Sequence, residues 1–241
     1  MSYSLEYANC ADCIPRAHCL AAGLDRADSE KLSQLITHSP PLKKGQLLYY
    51  QGDKFQAIYA VQAGIIKTYR LVEGEEHIIN FYFPGELIGL SCIHRSSYNH
   101  FAVALTTASV CCFPYQQLTE LAGQLPPLRQ RLLVMMSSEI DGEQQMVELL
   151  SKKQAQQRLA LFLLNVSRRL QARGQLASSF RLAMSRQDIG NYLGLALETV
   201  SRVFSQLAKQ QLIAVQGKEV TLLKRDRLQQ LINSDPSHSD K

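Results

Sequence analysis

No run of uncharged apolar residues approaches the roughly 18 that would span a bilayer, which argues against a transmembrane helix and a membrane partner. The opening MSYSLEYANC has neither a basic n-region nor an apolar h-region. No signal peptide is therefore expected, and the chain is expected in the cytoplasm. There is no P-loop and no Gly-x-Ser-x-Gly, and the six histidines are scattered, so no catalytic grouping emerges and an enzyme is not expected. Cysteine is sparse at six in 241 residues, and a reducing cytosol disfavours structural disulfides.

Three of those six lie within ten residues, Cys10, Cys13 and Cys19 in NCADCIPRAHCLAAG. Clustered thiols in a reducing compartment bind metal or do redox chemistry. The C-x2-C spacing is generic to zinc and iron–sulfur sites, and by itself favours zinc. A thiol oxidoreductase is the weaker alternative, because no βαβ context surrounds the pair. Charge is also uneven. Residues 154–232 carry twelve Lys or Arg against four Asp or Glu, a net +8, while the remainder carries fourteen against seventeen, a net −3. A basic C-terminal third on a slightly acidic body points to a polyanionic partner at one end.

The hydrophobic fraction of 46% indicates a globular chain, long enough for one large domain or two smaller ones. DRADSEKLSQLI places Leu32, Leu35 and Ile36 at helical spacing. From Leu42 to about Pro114, short apolar runs (QLLYY, AIYAVQ, IIKTYRLV, HIINFYF, ELIGL) alternate with glycine turns, the pattern of an antiparallel sandwich or barrel. LPPLRQRLLVMMSSEIDGEQQMVELLSKK then reads as one long helix with Pro126 and Pro127 near its start. Along it Leu133, Met136, Ile140, Val147 and Leu150 follow steps of three and four, an a/d seam for a second copy, and Glu143 falls on the same seam.

Three helical stretches follow. In MSRQDIGNYLGLALETVSRVFSQLAKQQLI, Ser185 caps a helix through Gln187–Leu193, Gly194 makes a tight turn, and Glu198–Lys209 forms a second helix. LIAVQGKEVTLL closes the module with a hairpin, giving a winged helix-turn-helix. Glu198, Ser201 and Arg202 project together from the second helix. Glu accepts from cytosine N4, Arg grips guanine O6 and N7, and Ser serves either base. Double-stranded DNA is the expected partner.

The segment SRQDIGNYLGLALETVSRVFSQL resembles the recognition segment of the fumarate and nitrate reductase regulator (FNR) type within the cyclic-AMP receptor superfamily. The likeness extends over nearly the whole chain, through KKGQLLYYQGD, AGIIKTY, FPGELIGL, LPPLRQ, LLSKKQAQQRLALFLLN and the N-terminal cysteines. It implies an α+β fold with an N-terminal double-stranded β-helix (jelly roll) sensor domain, a long dimerisation helix and a C-terminal winged helix-turn-helix. The boundaries expected are 1–20 for the cysteine-rich segment, 21–124, 125–153, 154–232, and 233–241 for a flexible tail.

The resemblance also implies an oxygen-labile [4Fe–4S] cluster on Cys10, Cys13, Cys19 and one distant cysteine. Cys92, Cys111 and Cys112 are the candidates; the family's fourth ligand lies three residues before a proline, which selects Cys111 in SVCCFPY. Cys112, its neighbour on a strand, should face the other way. Many relatives carry Ser after the second cysteine; here it is Ile14, a departure that bears on oxygen attack.

Further implications are a homodimer, oxygen as the signal, a TTGAT/ATCAA-like dyad and RNA polymerase as a partner. VEGEEH is one residue shorter than in some relatives, so no polymerase-contacting residues are assigned. The family has an acidic residue at the position of Glu143 that opposes dimerisation of the cluster-free protein, and Glu143 with Ile140 is expected to control association. Cyclic-nucleotide receptors need an Arg-Ser or Arg-Thr pair where this chain has His100 and Phe101, and Arg95–Ser96 come too early. Nucleotide binding is not expected.

Overall fold

The computed structural model describes residues 9–176 and 178–233. They group into two units. One holds the residues up to Ile140 apart from Glu76–Ile78; the other holds those three and the residues from Asp141 onward.

In the first unit, helix α1 (Arg26–Gln34) starts at Asp25, whose carboxylate accepts from the Asp28 amide at 2.8 Å. Eight strands follow: β1 (Thr37–His38), β2 (Leu47–Tyr49), β3 (Ala57–Ala63), β4 (Ile66–Val72), β5 (Glu75–Tyr82), β6 (Leu87–Ile88), β7 (Phe101–Ala104) and β8 (Ser109–Pro114). They form two four-stranded sheets, β1-β8-β3-β6 and β2-β7-β4-β5, the antiparallel sandwich expected from the glycine-punctuated runs and the jelly roll that the family resemblance implies.

The period-two alternation of the first sheet divides its side chains between two cores. Val61, Ile88 and Val110 pack inward with Tyr49, Ile66, Tyr82 and Ala102 from the other sheet. Ile58, Ala60, Leu87, Cys111 and Phe113 face outward, where Cys10, Leu20, Leu24 and Leu32 cover them. Two helices complete that cover, α2 (Tyr115–Gln124) and the start of α3 (Pro126–Lys152), through Leu118 and Leu128.

The second unit contains α4 (Ala155–Ala172), β9 (Ser179–Arg181), α5 (Arg186–Leu193), α6 (Leu197–Lys209), β10 (Ile213–Gln216), β11 (Glu219–Leu222) and α7 (Arg225–Asn233). β10 and β11 are the expected hairpin, and β9 adds a third antiparallel strand beside β11. The strands between Leu42 and Pro114, the long helix and the helix-turn-helix all form; β1, α2, β9 and α7 are elements the sequence pattern does not show. The first eight residues and 234–241, most of the expected tail, lie outside the described residues. Among the described residues no helix is long and apolar enough to cross a membrane.

His100, which the sequence reading set against the phosphate-binding pair of nucleotide receptors, is buried. Its Nδ1 lies 2.6 Å from Asn99 Oδ1 and its Nε2 lies 2.6 Å from the Tyr49 hydroxyl. Asn99 Oδ1 only accepts, so Nδ1 carries the proton and Nε2 accepts from Tyr49. Burial, with Arg70 adding to it, pushes the His100 pKa from 6.5 down to about 4. An unfolded histidine takes its proton near 6.5, so this contribution to stability is complete above that pH and is lost as pH falls towards 4. A His100→Gln variant is therefore expected to lose less stability than the parent between these pH values. Denaturant unfolding across the range checks this, and parallel pH profiles would contradict it.

Candidate metal centre and nucleic-acid interface

The cysteine segment is held by side-chain hydrogen bonds to its main chain. Asn9 Oδ1 accepts from the Ala11 amide at 3.0 Å and from the Ser33 hydroxyl at 3.0 Å, and Ser33 Oγ accepts from the Cys10 amide at 2.8 Å. Pro15 helps start a short 3-10 turn, Ile14–His18, flanked by Cys13 and Cys19. Arg16 folds back through the segment, donating to the carbonyls of Ala11 (3.2 Å), Ala21 (3.4 Å) and Leu24. The turn lies against Gly85, whose φ of +92° suits glycine; a Cβ there would meet His18 Cβ at 2.8 Å and the Pro15 carbonyl at 3.1 Å.

This places Cys10 and Cys19 on the outward face of the first sheet with Cys111. Cys112 faces the other way. It stands opposite Tyr59 in the β3–β8 ladder, whereas Cys111 stands opposite Ala60. Cys92 is buried in the inter-sheet core, its thiol 3.4 Å from Asn99 Oδ1. Ile14, beside Cys13, is almost fully exposed.

All four thiols resist ionisation. Burial raises the Cys10 pKa, the Ser33 hydroxyl and Arg16 acting against it. Burial and then Cys10 raise that of Cys13. Burial, with smaller effects from Cys10 and Cys13, takes Cys19 to about 11. Cys111 is pushed to about 12, by burial first and then by Cys19, Cys10 and Cys13. The four thiols thus share one electrostatic neighbourhood, and metal uptake there must expel protons. The donors are all soft sulfurs, suited to iron–sulfur or zinc. Among the described residues no three His, Cys, Asp or Glu side chains are placed to hold a single metal ion.

In the second unit, Ser185 and Asp188 form a reciprocal capping box at the start of α5. Gly194 ends it at φ +62°, in the left-handed region. Val200, Val203, Phe204 and Leu207 bury one face of α6, leaving Glu198, Ser201 and Arg202 exposed on the other. Glu198 and Arg202 are not paired with each other or with any other described side chain. Two further arginines brace this helix pair. Arg186 stacks its guanidinium over the Phe204 ring, 3.1 Å from the centroid. Arg158 donates to the carbonyls of Leu150 (2.8 Å), Lys153 (2.8 Å) and Leu193 (3.0 Å), tying the last turn of α3 to the end of α5. Cationic donors at helix C-termini satisfy their orphan carbonyls. Neither role follows from residue spacing.

On α3 the seam is bare in the single chain: Leu133 and Ile140 are each 56% exposed and Val147 68%, with Glu143 exposed between them.

A model of the Crp-like helix-turn-helix domain matches residues 157–231, and one of the cyclic nucleotide-binding domain matches residues 40–124. The transcriptional activator protein Anr of Pseudomonas protegens is 50% identical over 217 residues, which is 90% of this chain and 89% of that protein. The fumarate and nitrate reduction regulatory protein of Escherichia coli K12 is 42% identical over 224 residues, covering 92% and 90%. Among solved structures, FixK2 from Bradyrhizobium japonicum superposes with a TM-score of 0.74 at 33% identity, covering 81% of this chain and 96% of that one. With both domains matched and identity sustained along nearly the full length, the chain belongs to the Anr and FNR family of Crp-like transcription regulators.

Proposed function

We propose that this regulator responds to oxygen through a [4Fe–4S] cluster held by Cys10, Cys13, Cys19 and Cys111. In this reading the chain acts as a cytoplasmic homodimer on a TTGAT/ATCAA-like dyad and works with RNA polymerase. The observation that carries it is the outward-facing core, where Cys111 meets the segment bearing the other three thiols although about ninety residues separate them. A tetrahedral ion with metal–sulfur bonds of about 2.3 Å needs its sulfurs about 3.8 Å apart. A cluster takes one thiolate at each iron and accepts a wider grouping. Four thiols in one neighbourhood, in a chain whose relatives include the fumarate and nitrate reduction regulatory protein, support the cluster reading. When bound, such a cluster supplies an oxygen-labile inorganic core anchored by four thiolates.

The residues around it keep the site dry and closed. Leu20, Leu24 and Phe113 exclude water beside the thiols, and Arg16 places a cation within reach of Cys10. On α3, pairing two copies would cover Leu133, Met136, Ile140 and Val147 but would bring two Glu143 carboxylates together. Burying like charges is costly, so Glu143 holds association near balance. No cyclic nucleotide is required in this reading, since buried His100 replaces the cation a cyclic phosphate would need.

Single Ser replacements at Cys10, Cys13, Cys19 or Cys111 are expected to abolish the visible absorption of anaerobically purified protein and its oxygen-dependent DNA binding. Cys92→Ser and Cys112→Ser should retain both. Absorption retained in Cys111→Ser but lost in Cys112→Ser would overturn the ligand set. At the DNA, Arg202→Ala is expected to weaken dyad binding by about 1–3 kcal/mol and to relax preference at one guanine. Binding to a panel of single-base dyad variants checks this; equal loss on every sequence would reduce Arg202 to a phosphate contact.

A further inference from the structure

Cys19 is tied at both its amide and its carbonyl. Its amide donates to the Arg16 carbonyl at 3.1 Å, and its own carbonyl accepts from Arg131 Nε at 2.9 Å. Arg131 belongs to α3, so this bond joins the cysteine segment directly to the helix that carries the bare apolar seam. The segment is stiff where the bond attaches. Arg16 cross-links its carbonyls at Ala11, Ala21 and Leu24, and the Ala22 and Leu24 amides close turns on Cys19 and Ala21. A displacement of Cys19 is therefore carried along the segment rather than absorbed within it.

The helix is arranged to receive such a displacement. Leu128, Leu132 and Met135 lie on the same face as Arg131 and pack on the core that contains Cys10 and Cys111. Leu133 and Ile140 lie on the exposed face, starting two residues beyond Arg131. Apolar packing on one side resists separation but has no preferred direction along the helix. A guanidinium–carbonyl bond has one, and as a charge-assisted bond it is stronger than a neutral pair.

We propose that Arg131 is the positioning residue that couples the cysteine segment to the dimerisation seam, through its bond to the Cys19 carbonyl. The proposal rests on the cluster reading above. Cys19 then has two duties, its sulfur to the metal site and its carbonyl to α3, and Arg131 converts the first into the attitude of the seam. Arg16 keeps the lever rigid.

The test compares wild type, Arg131→Gln, Arg131→Lys and the double variant Arg131→Gln/Glu143→Ala, each purified anaerobically. Iron content and visible absorption are measured beside sedimentation before and after exposure to air. The expected result for Arg131→Gln is unchanged iron and absorption with dimerisation of the loaded protein weakened about tenfold or more. Arg131→Lys should recover part of that loss, because an ammonium still donates to the carbonyl. The double variant should dimerise in both conditions, showing that the seam itself is intact. If Arg131→Gln loses its iron along with its dimer, or if it dimerises as wild type does, the coupling role is overturned. A wild-type chain whose dimerisation ignores air overturns the cluster reading itself, and the coupling with it.

Discussion

The alternation of side chains along one short strand, β8, constrains most of the first unit. Val110 points into the inter-sheet core, Cys111 points out, Cys112 points back, and Phe113 points out again. Because the period is two, a register slip of one residue would exchange the two cysteines and bring the Cys112 thiol under the N-terminal segment. The register is fixed by six β3–β8 pairs and by the apolar residues that each face must bury. The outward face would be a hydrophobic patch open to water without its cover. Cys10, Leu20, Leu24, Leu32, Leu118 and Leu128 supply that cover from four separate stretches of chain. The thiols thus meet where the fold most needs apolar material, and free cysteine is apolar enough to serve there.

That arrangement gives the thiols two characters. Without metal they are neutral core residues, their ionisation opposed by burial and by one another. With metal they must be thiolates, so the free energy of metal binding enters the local fold directly. Elsewhere the molecule uses guanidinium groups to join peptide segments, with Arg16 inside the cysteine segment, Arg131 between that segment and α3, and Arg158 between the end of α3 and α5. Each reaches main-chain carbonyls, the acceptors that helix ends and tight turns leave over. The planar fork with several donors makes Arg the residue suited to this task.

Much of the fold could be read from the residues. Glycine turns between short apolar runs marked an antiparallel sandwich or barrel, two prolines marked the start of α3, and Ser185 and Gly194 marked the ends of α5, because each reflects a local rule of backbone geometry. The opposed faces of Cys111 and Cys112 followed from strand periodicity, although the choice between them came from the family resemblance. β9 is only three residues long, too short for alternation to register, and it exists because β11 offers it an edge. The helices α2 and α7 are short polar-rich stretches beside stronger signals. The roles of Arg16, Arg131 and Arg158 were invisible for a different reason. A carbonyl acceptor leaves no mark in sequence, and Arg131 lies 112 positions from the residue whose carbonyl it grips.

The central claim is that four thiols gathered on one face of the jelly roll hold an oxygen-labile cluster that governs association through α3. The most direct measurement is iron and acid-labile sulfide per chain, determined on the separated monomer and dimer fractions of wild-type protein before and after exposure to air. The account predicts about four irons and four sulfides per chain in an anaerobic dimer, and a monomer depleted of both after air. Zinc without sulfide, or a dimer that persists after its iron and sulfide are lost, would contradict it.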